Sequence, residues 1–174
     1  MRYFKMRKYD TANWDGLNTT IFFSGCTLKC PGCFNEEAQD FNSGFEFTKK
    51  EEDLFIKWAN DTYVTGVCIL GGEPFDQDLE DMYRFILRLK TEVKKPIHLW
   101  SGYKFEDLLC GKISKDILKL CDTLVDGRFD IDKKNLNLKY RGSSNQRVID
   151  VKETLKNRDM DFKVLNITRI IHII

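Results

Sequence analysis

Apolar positions in this chain fall into short continuous runs that alternate with helical stripes. Thr19-Thr20-Ile21-Phe22-Phe23 is β-branched and aromatic, and predicts a strand running straight into a loop at Ser24. Thr48-Lys49-Lys50-Glu51 fits a capping box, with the Thr48 hydroxyl and Glu51 carboxylate placed to satisfy the first helix amides. Behind it Leu54, Phe55 and Trp58 recur on one face and predict a helix to about residue 60. Val67 to Leu70 predicts a short buried strand ending at a glycine pair. Leu79, Met82, Tyr83, Ile86 and Leu89 mark a second amphipathic helix. Ile97-His98-Leu99-Trp100 and Thr123-Leu124-Val125 predict a third and fourth strand. Between them lies helical material in two pieces, Phe105 to Leu109 and Ile113 to Leu120, broken at Gly111. Residues 1–18 are polar and aromatic with a turn signal at Asp15-Gly16, and 128–147 reads as a long loop. Arg147-Val148-Ile149 and Ile170-Ile171-His172-Ile173-Ile174 are further strand candidates.

Strand and helix alternate, which predicts an α/β fold with a parallel sheet and right-handed crossovers. A full eight-unit barrel takes about 250 residues. With 174 residues, a partial, open parallel β/α barrel is expected, as a single domain over 1–174. Each of four unusual loops follows the carboxyl end of a predicted strand: the one after Phe23, Gly71-Gly72-Glu73, Ser101-Gly102 and Asp126-Gly127. Parallel α/β sheets bind ligands at that edge, so the four loops should meet at one active-site rim.

Composition narrows the choices. Hydrophobic residues make up 42% and aromatics 13%, which is globular rather than disordered. A formal net charge of +1 argues against a nucleic-acid binder held by phosphate neutralisation. The N-terminus has charge but no apolar core segment, and no run is long enough to span a bilayer, so a soluble, cytoplasmic protein is expected. Six cysteines without a secretory signal, three of them clustered, favour metal or cluster ligation over disulfides. Cys68, Cys110 and Cys121 are expected to be small buried hydrophobes, and His98 and His172 to be structural.

The chemistry sits in Ser24-Gly25-Cys26-Thr27-Leu28-Lys29-Cys30-Pro31-Gly32-Cys33-Phe34-Asn35. Three thiols are spaced Cys-x3-Cys-x2-Cys, with no fourth thiol or histidine nearby. Such a set can hold three corners of a 4Fe–4S cluster and leave one iron for an outside ligand. Structural zinc takes four protein ligands, here only by recruiting distant Cys68 or His98.

This spacing resembles the signature of the radical S-adenosylmethionine enzymes. The words Gly71-Gly72-Glu73-Pro74, Trp100-Ser101-Gly102-Tyr103, Val125-Asp126-Gly127-Arg128-Phe129 and Arg141-Gly142-Ser143-Ser144-Asn145-Gln146-Arg147 narrow it. Together they resemble the subgroup that activates anaerobic (class III) ribonucleoside-triphosphate reductase, over most of residues 13–150. The resemblance implies a partial barrel of the radical S-adenosylmethionine type. It implies that Cys26, Cys30 and Cys33 ligate three irons and that S-adenosylmethionine chelates the fourth. Reductive cleavage then gives a 5′-deoxyadenosyl radical that abstracts hydrogen from a glycine of the reductase, with a low-potential electron donor supplying the electron. Activation of another glycyl-radical enzyme, such as pyruvate formate-lyase, is the nearest alternative. A non-catalytic iron–sulfur or zinc module is a rival of a different class.

For cofactor contact the resemblance assigns Gly71, Gly72 and Glu73 to the methionyl ammonium, and the stretch Gly32-Cys33-Phe34 to the nucleoside. Many superfamily members have an aromatic immediately before the third cysteine, where this chain has Gly32. Phe34 therefore either touches the nucleoside or packs under the loop. Ser101 is a candidate for the ribose or methionyl carboxylate, or an ordinary loop serine. Asp126 is a candidate for ribose contact or partner positioning, or an Asx turn cap before glycine. The run Arg141 to Arg147 either faces the partner or is an exposed loop. Relatives carry an arginine shortly before the first strand, where this chain has Asn18.

Overall fold

The computed structural model describes residues 1–156. Its centre is a mixed seven-stranded sheet of β1 (Arg2–Asp10), β2 (Asn18–Phe23), β3 (Phe45–Glu46), β4 (Gly66–Gly71), β5 (Ile97–Trp100), β6 (Thr123–Asp126) and β7 (Arg147–Asp150). The strand order is β3-β1-β2-β4-β5-β6-β7, and the sheet is not closed. β2, β4, β5 and β6 are parallel, as the alternation predicts. The flanks depart from that pattern: β1 pairs antiparallel with β2 and β3, and β7 pairs antiparallel with β6. β1 lies in a stretch whose sequence carries no strand signal, because most of its residues are only half-buried. The expected strand at Ile170–Ile174, with His172, falls outside the described residues.

Five helices follow the strands: α1 (Lys49–Ala59), α2 (Leu79–Arg88), α3 (Phe105–Cys110), α4 (Lys112–Leu120) and α5 (Val151–Lys156). The Thr48 hydroxyl accepts from the Lys50 N–H and donates to Glu51, starting α1 as its capping residues require. The buried face of α1 is Phe55, Ile56 and Ala59, while Leu54 is exposed. The expected stripe was thus one position out, since Leu54, Phe55 and Ile56 are consecutive and only packing decides which turn away. Gly111 divides α3 from α4, where Ser114 Oγ donates to the carbonyls of Leu108 (2.6 Å) and Gly111 (3.1 Å).

Alternation along the strands separates the two faces of the sheet. Ile21, Phe23, Val67, Ile69, Ile97, Leu99 and Leu124 pack with Phe55, Met82, Phe85, Ile86 and Ile117, so the helices and one sheet face share a single core. Each fully buried Phe in it contributes about 1.5–3 kcal/mol. On the other face Phe22, Cys68 and Leu70 meet Trp14 and Trp100. Trp14 is stacked between His98 (4.1 Å between ring centroids) and Tyr140 (3.7 Å), and Trp100 Nε1 donates to the Tyr140 carbonyl at 2.7 Å. These contacts hold the 128–147 segment against the sheet. Cys68 and Cys121 are buried as expected; Cys110 is exposed, because it ends α3 on the side away from the core. Buried His98 is structural, its Nδ1 hydrogen-bonded with Thr123 Oγ1 at 2.8 Å. Asn18 also has a local task. Its Nδ2 donates to the carbonyls of Trp14, Asp15 and Gly16 (3.1–3.3 Å), closing the turn that enters β2.

Candidate active site

The loop after β2 carries the cysteines and is docked on the exit of β4 by backbone hydrogen bonds. Gly72 N–H donates to the Phe23 carbonyl (2.7 Å) and Glu73 N–H to the Gly25 carbonyl (2.8 Å). On its other side, Gly25 N–H donates to the Ala38 carbonyl (2.8 Å) and Cys26 N–H to the Gln39 carbonyl (3.0 Å). Both glycines at the end of β4 are required by this docking. Gly71 has φ 116°, open to glycine alone, and a Cβ on Gly72 would sit 2.3 Å from the Gly25 carbonyl oxygen.

Cys26, Cys30 and Cys33 line one cavity of about 140 Å³. Gly71, Gly72, Glu73, Ser101 and Gly127 line it too, so loops from all four parallel strands reach the same place. The three thiols are half-buried. Burial pushes the Cys26 thiol up, while the backbone N–H groups of Leu28 and Lys29 donate to its sulfur and favour the thiolate. Among the described residues no three His, Cys, Asp or Glu side chains converge tightly enough to hold a single metal ion. Structural zinc takes four protein ligands on one ion, whereas a cluster gives each thiolate its own iron. A donor set of three thiols around a shared cavity fits a cluster.

Glu73 is 1% exposed and closes the back of the cavity. Its carboxylate accepts from Phe75 N–H (3.1 Å), Ser101 Oγ–H (2.9 Å) and Gly102 N–H (2.7 Å). Burial pushes its pKa up to about 7, against those donors, which favour the charged form. Ser101 is occupied likewise, its Oγ also accepting from Tyr103 N–H at 3.0 Å. Glu73 and Ser101 therefore line the cavity and at the same time tie the β4 exit to the β5 exit.

Three predicted residues, Asp126, Phe34 and Gly32, stand apart from the cavity. Asp126 is buried and turned away, accepting from Phe105 N–H (2.8 Å) and Arg147 Nε–H (2.9 Å). Arg147 also bridges to Glu106, at 2.9 and 2.7 Å. Phe34 is 95% exposed and packs under nothing; it borders a groove of about 420 Å³ outside the cavity. Gly32 adopts φ 67° at the tip of the loop, beside Ile131.

Other wall residues are not among the expected cofactor contacts: Asn35, Trp100, Phe129 and Gln146, which lie inside the sequence motifs, and Gln39, which lies outside them. Asn35 Nδ2 donates to the Gly71 carbonyl at 3.3 Å. Gln146 donates to the Gly127 carbonyl (2.9 Å) and accepts from Gly142 N–H (2.9 Å), folding the Arg141–Arg147 run onto the β6 exit. Cys33, Asn35, Leu70, Trp100, Phe129 and Gln146 line both the cavity and the outer groove, so the two form one trough.

A loop that brings three thiols to a rim shared by the exits of four parallel strands is the framework of an iron–sulfur protein. The family model described as a 4Fe-4S single cluster domain matches residues 12–149. The chain is also similar to curated anaerobic ribonucleoside-triphosphate reductase-activating proteins. It is 38% identical to that of Escherichia coli K12 over 152 residues, 85% of this chain and 97% of the relative. Identity is 34% over 150 residues with that of Haemophilus influenzae (84% and 96%), and 32% over 152 residues with that of bacteriophage T4 (85% and 93%). The chain belongs to this family of 4Fe-4S activating proteins.

Proposed function

We propose that this protein activates an anaerobic ribonucleoside-triphosphate reductase by generating a glycyl radical on it. The observation that carries this reading is the cavity lined by three thiols without a fourth ligand among them, at the exits of four parallel strands. Cys26, Cys30 and Cys33 would hold three corners of a 4Fe–4S cluster, leaving the fourth iron for an outside ligand. When bound, the reduced cluster supplies the electron that cleaves S-adenosylmethionine and starts hydrogen abstraction.

The chain's own residues position and enclose that chemistry. Gly71 and Gly72 bring the β4 exit against the cysteine loop. Glu73, buried and lining the cavity, is the acidic side chain that would receive a methionyl ammonium. The aromatic walls Trp100 and Phe129 suit a purine ring, and exposed Phe34 stands at the edge of the same trough. We assign the fold to the partial barrel of the radical S-adenosylmethionine type, on the strength of an open sheet whose core helices share one face. The whole chain, 1–174, is taken as one domain. A low-potential electron donor is required as a second partner, and no role in nucleic-acid binding is assigned. No helix among the described residues is long and apolar enough to cross a membrane.

The trough is open, and an open mouth would expose a reactive carbon radical to water. The reductase supplies the cover in this reading, by inserting its glycine-bearing loop. Glycine suits the role because it has no side chain to block approach and its Cα radical is stabilised by flanking amides. Anaerobic incubation with reductant, S-adenosylmethionine and the reductase should give a glycyl-radical resonance. Replacing the target glycine by alanine should abolish it while the two proteins still associate. Efficient activation of pyruvate formate-lyase with the reductase left silent would overturn the assignment.

A further inference from the structure

Asp76 ends the short 3-10 turn Pro74–Asp76, beside the cysteine loop but outside the cavity that the thiols line. Its Oδ2 accepts from the Thr27 N–H (2.6 Å) and the Thr27 hydroxyl (2.7 Å), and its Oδ1 from the Tyr103 hydroxyl (2.7 Å). One carboxylate thus gathers three donors from the loops after β2 and β5, more than closing its own turn would need. Charge-assisted hydrogen bonds of this kind fix geometry more firmly than neutral ones.

Thr27 directly follows Cys26. The next two amides, of Leu28 and Lys29, donate to the Cys26 sulfur, and Lys29 takes the left-handed φ of 46° that lets successive N–H groups face one anion. The Leu28 carbonyl is held by the Arg128 guanidinium. The wrap around Cys26 is therefore braced on one side by Asp76 through Thr27 and on the other by Arg128. Glu73 does not duplicate this role, because its carboxylate accepts from Phe75, Ser101 and Gly102, none of which belongs to the cysteine loop.

We propose that Asp76 is a positioning residue for the Cys26 corner of the cluster: it fixes the amides that wrap the Cys26 sulfur, and its negative charge lowers the cluster's reduction potential. The charge acts this way because a nearby anion stabilises the more positive, oxidised cluster, and cluster potentials follow local charge and hydrogen bonding to sulfur. The proposal rests on the ligation by Cys26, Cys30 and Cys33 put forward above.

The test uses full-length protein reconstituted anaerobically with iron and sulfide, as wild type, Asp76→Asn and Asp76→Ala. Iron release to a chelator and the midpoint potential, followed by electron paramagnetic resonance, are the two measurements. Asp76→Asn keeps an oxygen for Thr27 and should release iron at the wild-type rate, with the potential shifted upward. Asp76→Ala should shift the potential upward too and release iron about ten-fold faster. An unchanged potential in Asp76→Asn overturns the proposal, and should Asp76→Ala fail to fold, that single comparison still decides. A wild type that assembles no cluster removes the ligation reading and this proposal with it. A normal wild-type cluster beside an unmoved Asp76→Asn removes the proposal alone.

Discussion

Cys26, Cys30 and Cys33 differ from the other thiols in exposure and in surroundings, being half-buried together at the rim. Cys121 is enclosed by core side chains, and burial pushes its thiol up to about 12; Cys68 is raised in the same way. Such thiols are inert. Cys110 is exposed but stands on α3, far along the chain from any second thiol of the rim. Serine at Cys26, Cys30 or Cys33 should therefore prevent stable cluster assembly, while serine at Cys110 leaves iron and sulfide content at the wild-type level. Normal clusters in all three rim variants would refute the ligand assignment. A second residue-scale outcome concerns His98, whose pKa burial pushes down to about 4. Between pH 6.5 and 4 the unfolded chain takes up a proton that folded His98 refuses. Its contribution is complete above pH 6.5 and is lost as pH falls toward 4, by about 3 kcal/mol at most. Glu73 works in the opposite sense: its folded pKa of about 7 lies above the ordinary 4.5, so its contribution grows as pH falls from 7 to 4.5. Urea unfolding of wild type and His98→Gln separates the two, because Glu73 is common to both. The advantage of wild type over His98→Gln should shrink between pH 7 and 4.5; a constant difference would contradict the account.

At the scale of elements, the exit of β4 is where local sequence and packing part company. The family resemblance assigns the glycine pair after β4 to the cofactor, and the geometry adds a close approach to the protein's own backbone. A Cβ at Gly72 would meet the Gly25 carbonyl at 2.3 Å and the Ala38 carbonyl at 3.0 Å. Gly72→Val should accordingly lower iron content together with S-adenosylmethionine binding, both measured on anaerobically reconstituted protein. Full iron with binding alone lost would return the glycine to the cofactor. The parallel strands and most helix positions were legible because each rests on a local apolar pattern, as in Ile97–Trp100 or the divided helix at Gly111. β1 was not, since its Lys5, Arg7 and Lys8 sit among half-buried neighbours and its pairing partner, not its composition, makes it a strand. The three cysteines, Gly71–Glu73 and Ser101 could be placed on one rim from sequence because each ends a strand. Asp126 ends one too, yet Arg147, 21 residues on, turns it away, and no local signal announces a salt bridge of that span. Gln146 and Phe129 reach the cavity for the converse reason, through the fold of a long loop.

The described residues form an open sheet with its core helices on one face and a trough on the rim. The 128–147 segment closes part of the other face, held by Trp14 between His98 and Tyr140. Among the described residues this architecture builds a rim with an open mouth, which in the proposed reaction the reductase fills. In that proposed reaction, hydrogen passes from a glycine Cα of the reductase to the nucleoside released at this rim. Reductase labelled with α-deuterated glycine, activated under strictly anaerobic conditions, tests it most directly. Mass spectrometry of the recovered 5′-deoxyadenosine should find deuterium in amounts that follow the glycyl radical formed, and none when the target glycine is alanine. Unlabelled 5′-deoxyadenosine alongside a fully activated, deuterated reductase would contradict the account.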